Sequence, residues 1–294
     1  VLWQPGLDHA GIATQMVVER QMAERNEPGR RDIGREAFIE KVWNWKAESG
    51  GTIVGQLRRL GASCDWSRER FTMDEGLKNA VKESFVHLYN EGLIVRGNYM
   101  VNWCTHDGAL SDIEVEHEEH AGKFYHMNYH LADGSGHITV ATTRPETYFG
   151  DSAVMVHPDD ARYKELVGKK VKLPLLDREI TVIADEHVDM EFGTGIVKVT
   201  PAHDQNDYEV GKRHDLEFIT VFDEKGMLNE YCGEFAGMER LEARKPIVEK
   251  LEAEGYIVKI EDHVHQVGHC YRCKNIVEPY ISKQWFVRSE VAKK

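Results

Sequence analysis

The sequence predicts an α/β chain, α+β in overall arrangement, with a β-rich middle of about 150 residues, an ordinary domain size, between helical flanks. Three observations carry that expectation. Apolar residues recur at helical spacing through the first 100 residues, the pattern turns to strand-like alternation near residue 113, and a longer helical pattern returns after residue 240. The length of 294 residues fits about two domains.

In the first flank, Arg35 to Leu60 carries Phe38, Ile39, Val42 and Trp45, then Ile53, Leu57 and Leu60, which gives a helix one apolar stripe. The adjacent Gly50 and Gly51 are poor helix formers and are expected to interrupt it. Thr72-Met73-Asp74-Glu75 has the form of a capping box, in which hydroxyl and carboxylate satisfy the free amides of a first turn. A second helix follows, with Leu77, Val81, Phe85 and Leu88 on one face and Gly92 as its C-cap. Alternation then begins at Ile113 to Glu116. It resumes in Tyr125, Met127, Tyr129 and Leu131, and the turn Ala132-Asp133-Gly134-Ser135-Gly136 leads into Ile138 and Val140 as a hairpin.

Further strands are expected at Ala153–Val156, Glu179–Ile183, Gly195–Val199 and Phe218–Phe222. Short helices are expected at Asp159–Val167 and Asp207–His214, and a longer one at Leu241–Glu254, before Gly255. Pro246 lacks an amide hydrogen, so that helix should kink or effectively start there. No internal repeat or low-complexity segment is present.

Composition excludes several classes. With 37 Lys+Arg against 50 Asp+Glu the net charge is −13, which argues against gripping nucleic-acid backbone by charge alone, though not against one local nucleic-acid site. At 41% hydrophobic residues the chain is too apolar for disorder. No apolar run approaches the roughly 18 residues of a membrane helix, so no membrane association is expected. The opening VLWQPGLDHAGIATQ does not have the form of a secretory signal, and Val1 stands in what reads as mid-domain sequence, so a piece of a longer protein is expected. Cys64, Cys104, Cys232, Cys270 and Cys273 are too few and scattered for a disulfide framework, which favours a reducing cytoplasm. A monomer is the default expectation.

Several motifs fail on inspection. Gly193-Thr194-Gly195 lacks the third glycine of a dinucleotide fingerprint, and Lys198 is not followed by Ser or Thr as a phosphate-loop lysine would be. His117-Glu118-Glu119-His120 spaces its histidines three apart, not four, and reads as a solvated charge run; no GxSxG occurs.

Two clusters remain. Thr142-Thr143-Arg144-Pro145-Glu146-Thr147 directly follows an expected strand, and Pro145 biases Arg144 toward extended backbone. The cluster suits ribose and phosphate oxygens, and equally suits a plain threonine-rich sheet edge. In the second, Lys198 and Thr200 point to one face of a strand, while Asp204 and Asp207 share a helical face. A lysine, a hydroxyl and two carboxylates could converge on a small ligand with an ammonium and a hydroxyl; alternatively an aspartate merely caps the helix.

Pro5–Gln15 (PGLDHAGIATQ), Thr142–Thr147 (TTRPET) and Gly193–Leu216 (GTGIVKVTPAHDQNDYEVGKRHDL) together resemble the bacterial valyl-tRNA synthetase family of class I, over nearly the whole chain. Leucyl enzymes share a TTRP and a GTG…PAHD segment, but Lys198-Val199-Thr200 looks valyl, and isoleucyl enzymes differ where Asp8-His9-Ala10-Gly11 stands. The resemblance implies a β-rich, barrel-like editing domain inserted into helical remnants of a Rossmann-type catalytic domain. It divides the chain into residues 1–120 on the catalytic side with the junction, 121–265 as the editing domain, and 266–294 returning to the catalytic side. No HIGH-type or KMSKS-type signature occurs, so this stretch is not expected to activate valine; ATP and Mg would serve only the full-length enzyme.

The implied activity is post-transfer proofreading, hydrolysis of mischarged Thr-tRNA(Val) at the tRNA acceptor end, with no cofactor. Valine and threonine are nearly isosteric, and valyl enzymes are themselves the established example of an apolar pocket that discriminates only about a hundredfold. A second site that hydrogen-bonds the hydroxyl does better, because valine there leaves buried polar groups unpaired. The resemblance implies that Lys198, Thr200 and Asp204 surround the threonine hydroxyl, that Asp207 holds the α-ammonium, and that Thr142, Thr143, Arg144 and Thr147 position the terminal adenosine, with Phe192 as a pocket wall. Catalysis would rest on a placed water, with possible help from the free ribose hydroxyl. His203 is expected to turn away and serve structure.

Cys270-Tyr271-Arg272-Cys273 has metal-knuckle spacing, and Cys104 lies near the other junction of the insertion. Some relatives carry CxxC at both junctions; here the first reads Cys104-Thr105-His106-Asp107, so a structural zinc would take His106, Asp107 or nothing as fourth ligand. Cys64 and Cys232 are expected to be plain thiols. Asp8 and His9 match residues lining the amino-acid pocket of the synthetic site, and equally fit a turn with Gly6 and Gly11. Two rival readings remain: a noncatalytic module gripping the tRNA acceptor end, and a metal-dependent hydrolase using His203, Asp204 and Asp207.

Overall fold

The computed structural model describes residues 1–191 and 193–288. The chain forms two compact units, one of Val1–Val95 with the segment from Trp285 onward, the other of Arg96–Gln284. No helix among the described residues is long and apolar enough to cross a membrane.

The first unit carries helices α1 (Gly11–Glu24), α2 (Arg30–Ile33), α3 (Arg35–Arg59) and α4 (Glu75–Asn90), with a short parallel pair of β1 (Gly6–Leu7) and β2 (Arg70–Phe71). Val18 and Met22 of α1 pack against Phe38 of α3, flanked by Ile33, Val42 and Trp45. Helix α3 runs unbroken through Gly50 and Gly51, contrary to the expected interruption. Extending an existing helix adds a hydrogen bond for each residue fixed, whereas restarting one needs a costly new nucleus, so the glycine penalty loses. Helix α4 starts two residues later than the capping box suggests. Asp74 is its N-cap and accepts from the Leu77 amide at 2.9 Å, because the Thr72 hydroxyl is taken by the His9 amide at 2.8 Å and by His9 Nδ1 at 2.7 Å.

Strand β3 (Ile94–Cys104) leads into the second unit, where β4 (Gly108–Leu110) folds back on it with Cys104 opposite Gly108. The main sheet uses β5 (Val115–Leu131), β6 (His137–Thr142), β7 (Ala153–Val156), β8 (Lys170–Lys172), β9 (Glu179–Ala184), β10 (Ile196–Val199) and β11 (Ile257–Cys270). Its order is β10–β7–β9–β8–β5–β11, with β6 paired to β5, and it curls into a half-barrel. β7 and β9 run parallel, and the other strand pairs of this sheet are antiparallel among the described residues. The expected hairpin stands as β5–β6, Tyr125 facing Thr142 and His130 facing His137. The His117–His120 run lies exposed along β5. Strand β12 (Glu278–Val287) joins β3 and β4 in a three-stranded sheet.

The core of this unit packs Met127, Tyr129, Val140, Phe149, Val154 and Val182 together with Ile247 and Leu251 from α6 (Arg240–Ala253). Helix α5 (Gln205–Arg213) follows β10. Three local expectations are corrected. Phe218–Phe222 is no strand: Ile219, Val221 and Phe222 are buried, but the Val221 amide donates to His203 Nε2 at 2.8 Å and the Thr220 carbonyl accepts from Asn229 Nδ2 at 2.6 Å, so no ladder forms. Asp159–Val167 is helical only as a 3-10 turn at Lys164–Leu166, since Asp160 turns back to bind the Arg162 amide and guanidinium. Helix α6 neither starts nor stops at Pro246; it is capped by Glu239, which accepts from the Leu241 and Glu242 amides, and runs through the proline.

Candidate functional site

The two sequence clusters meet. Thr142, Thr143, Arg144, Thr147, Lys198, Thr200, Asp204 and Asp207 line one cavity of about 480 Å³ in the second unit. Strand β10 brings Lys198 opposite Val154 of β7, and the pleat places Thr200, just past the strand, on the same side. Asp204 N-caps α5, accepting from the Asn206 amide at 2.8 Å and the Asp207 amide at 3.1 Å, so the capping alternative describes one of its roles. Asp207 sits in the first turn of α5 and accepts the Thr200 amide at 2.8 Å.

Sequence reasoning missed the residue at the centre. Asp151 is fully buried; its Oδ1 accepts from Lys198 Nζ at 3.0 Å and from the Thr200 hydroxyl at 2.6 Å, and its Oδ2 accepts from the Tyr129 hydroxyl at 2.7 Å. Lys198 also reaches the Thr147 hydroxyl at 3.4 Å and the Thr200 hydroxyl. The backbone is drawn in at Gly150, where a Cβ would stand 2.7 Å from the Ile219 carbonyl oxygen and 3.2 Å from Thr200 Cγ2, so no other residue could deliver Asp151 so close. A buried lysine needs a buried anion; that requirement was the available signal.

The Arg144 guanidinium is braced from three sides. It donates to the His203 carbonyl at 2.7 Å, pairs with Glu278, and lies 3.6 Å from Glu146. Glu278 is shared with Arg240 at 2.7 Å, and Glu146 takes a two-pronged bond from Arg244 at 2.8 Å on each oxygen. Burial opposes ionisation of Glu146, yet the Arg244 and Arg144 charges hold its carboxyl below the usual range. The Thr142 hydroxyl accepts the Arg144 amide at 3.0 Å and the Thr147 hydroxyl donates to the Arg144 carbonyl at 3.0 Å, so the loop is held by its own hydroxyls.

Asp207 is the electrostatic exception. Burial, then the neighbouring Asp204 carboxylate, pushes its carboxyl up to about 7. Lys198 is already matched by Asp151, and Arg144 by Glu146 and Glu278, so the cavity carries carboxylate without enough cation.

His203 is fully buried, its ring tilted 38° against Phe222 with centroids 4.3 Å apart and its Nε2 accepting the Val221 amide; burial, then Arg144 and Lys198, pushes its pKa well below 6.5. That ring nitrogen is committed, and among the described residues His203, Asp204 and Asp207 do not form a metal-ligand group. Phe192 lies outside the described residues. In the first unit His9 lines a separate pocket of about 320 Å³ with Phe38, Trp43 and Phe71, while Asp8 is not among its lining residues and accepts the Ala10 amide at 2.6 Å in the turn before α1.

The cysteines converge as their spacing suggests. Cys104, Cys270, Cys273 and Asp107 place one ligand atom each within 4.8 Å of one another. Cys104 Sγ lies 3.3 Å from Cys273 Sγ, and Asp107 Oδ2 lies 3.3 Å from Cys270 Sγ. His106 instead contacts the other Asp107 oxygen at 3.1 Å. Cys232 is buried against the Val221 carbonyl and Cys64 is half-buried; neither joins the group.

Comparison with known families settles the relationship. The model of class I tRNA synthetases (I, L, M and V) matches residues 1–294. The chain belongs to this family. Its relatives include a valine–tRNA ligase of Wolinella succinogenes, 68% identical over 293 residues, which covers 100% of this chain and 33% of that protein. A valine–tRNA ligase of Campylobacter jejuni strain RM1221 is 66% identical over 292 residues (99% and 33%), and one of Nitratiruptor sp. is 71% identical over 292 residues (99% and 33%). The chain thus spans about a third of the length of the curated relatives it matches. As a class I synthetase segment it combines a helical unit with a half-barrel unit, and the cavity described above lies wholly in the latter.

Proposed function

We propose that the cavity hydrolyses threonine wrongly esterified to tRNA(Val), as the proofreading part of a valine–tRNA ligase. The observation that carries this reading is the pairing of an uncompensated carboxylate, Asp207, with a hydroxyl-matching group of Lys198, Thr200 and Asp151 in one cavity. The α-ammonium of the aminoacyl ester would supply the missing charge at Asp207. The threonine hydroxyl would enter the hydrogen-bonded group, where valine would leave polar atoms unpaired. The braced Thr142–Thr147 loop would seat the terminal adenosine, and hydrolysis would follow from holding the ester carbonyl against a placed water. Residues 121–265 are read as the editing domain, with 1–120 and 266–294 on the catalytic side. The longer enzyme would ligate valine to tRNA(Val) with ATP and Mg.

The test is deacylation of Thr-tRNA(Val) and Val-tRNA(Val) by this chain, side by side, with and without EDTA. Faster loss of threonine in both conditions is expected. Equal loss of the two amino acids would sink the specificity argument, and tRNA binding without hydrolysis would leave a gripping module only.

The cysteine group favours a second, structural proposal. Three thiols and a carboxylate, all with ligand atoms within 4.8 Å, match the donor number and softness of a closed tetrahedral zinc site, with Asp107 and not His106 as fourth ligand. A bound zinc would tie the segment at Cys104 to that at Cys270. Metal analysis of protein purified without chelator is expected to give one zinc per chain, reduced by Asp107→Ala and lost in Cys270→Ser. No zinc in the parent protein would remove the proposal.

A further inference from the structure

The ribbon of β5 and β11 carries a row of rings that the reaction itself does not use. Opposed residues of an antiparallel pair project to one face, and here Phe124 faces Glu261, Gly122 faces His263, and His120 faces His265. Phe124 stacks on His263 with ring centroids 5.1 Å apart and planes 24° apart, and His263 stacks on His265 at 5.8 Å and 16°. His120 adds its edge at 6.4 Å. Phe124, His263 and His265 also line the cavity that holds Lys198 and Asp207. The row therefore leads out from the site.

Two further observations mark it as a surface made to be covered. Gly122 is the floor beneath His265: a Cβ there would stand 2.5 Å from His265 Cε1, so the ring lies flat only because that side chain is missing. His265 Nδ1 is buried and has no hydrogen-bond partner, an arrangement that proteins rarely leave unmade. The neighbouring charges are already matched, since Glu261 takes both His126 and Lys259 at 2.6 Å. The face offers ring stacking, not a cationic track.

We propose that this row of rings is a stacking platform for the unpaired bases that precede the terminal adenosine of the acceptor strand. The idea rests on the reading of the cavity given above. Single-stranded RNA bases stack on aromatic and imidazole rings with little regard to sequence, and a strand whose last nucleoside sits in the cavity must leave across its mouth.

The test compares two threonyl esters: intact Thr-tRNA(Val), and threonyl-adenosine, which has no preceding bases. Phe124→Ala and His263→Ala are expected to lose about tenfold more kcat/KM on the tRNA ester than on the nucleoside ester, the size of one lost base–ring stack. His263→Phe, which keeps a flat ring, should restore the tRNA rate. Equal losses on both esters, or no loss on either, would overturn the platform and leave the cavity reading intact. A parent chain inert toward both esters would overturn both. Gly122→Ala, which must lift His265, should mimic His263→Ala on the tRNA ester.

Discussion

Replacing Asp151 by alanine should cost about 3–5 kcal/mol of folding stability, the penalty for stranding one member of a buried ion pair, and should abolish hydrolysis of the threonyl ester. The carboxylate is fully buried and is the anion that neutralises Lys198, and it also takes the Thr200 and Tyr129 hydroxyls. Without it the Lys198 ammonium lies in a low-dielectric setting with only hydroxyls for partners. Urea unfolding reads the loss. The companion variant is Asp151→Asn with Lys198→Met, which removes both charges. That pair should recover a large part of the stability while leaving the protein inactive, because a neutral buried pair has no desolvation debt. A single Asp151→Ala variant within about 1 kcal/mol of the parent, the ordinary size of a point mutation, would show that the pair is not the keystone proposed here.

The second large effect is a dependence on pH. Asp207 ionises near 3.8 in its ordinary state and is pushed up to about 7 in the folded protein by burial and then by Asp204. Between those values the folded state holds a proton that the unfolded chain has lost. Its contribution is therefore complete below 3.8, falls as pH rises, and is gone above about 7. Each unit of difference is worth about 1.4 kcal/mol, so Asp207→Asn should gain on the parent steadily across that interval and then hold a constant advantage. His203 slopes the other way, since a ring kept neutral loses stability as pH falls below 6.5, and subtracting the Asp207→Asn curve isolates the aspartate. For catalysis the charged form is the useful one, because it is the partner of the substrate ammonium. kcat/KM for the threonyl ester should rise through an apparent pKa near 7, and Asp207→Asn should be low and flat. A parent profile without that rise would remove Asp207 from the ammonium-binding role.

Much of this site was legible because it is local. Alternation along Gly195–Val199 aligned Lys198 with Thr200, and spacing along the next helix aligned Asp204 with Asp207, so period and residue type were enough. Asp151, Glu278 and Arg244 were not legible, since what selects them is a partner 47, 134 or 98 residues away rather than a neighbour. Three of the errors in secondary structure have one cause in common. In Phe218–Phe222, in Asp159–Val167 and at Thr72, a side chain from elsewhere or nearby took the backbone group or hydroxyl that the local pattern had assigned to a ladder or a cap. Pattern reads what a segment prefers; it cannot read which hydrogen bonds are already spoken for.

The bracing of Arg144 also sets an order in time. Its guanidinium stands on a loop finished by residue 147, while Glu278 comes 134 residues later in the chain. As the polypeptide leaves the ribosome, Arg144 is made with Glu146 beside it, and Arg244 and then Glu278 follow in chain order. Contacts of such long separation form late, because the intervening chain must first be ordered. The brace around Arg144 is thus completed only once the strand carrying Glu278 has been made, and a nascent chain cannot offer a finished site before then.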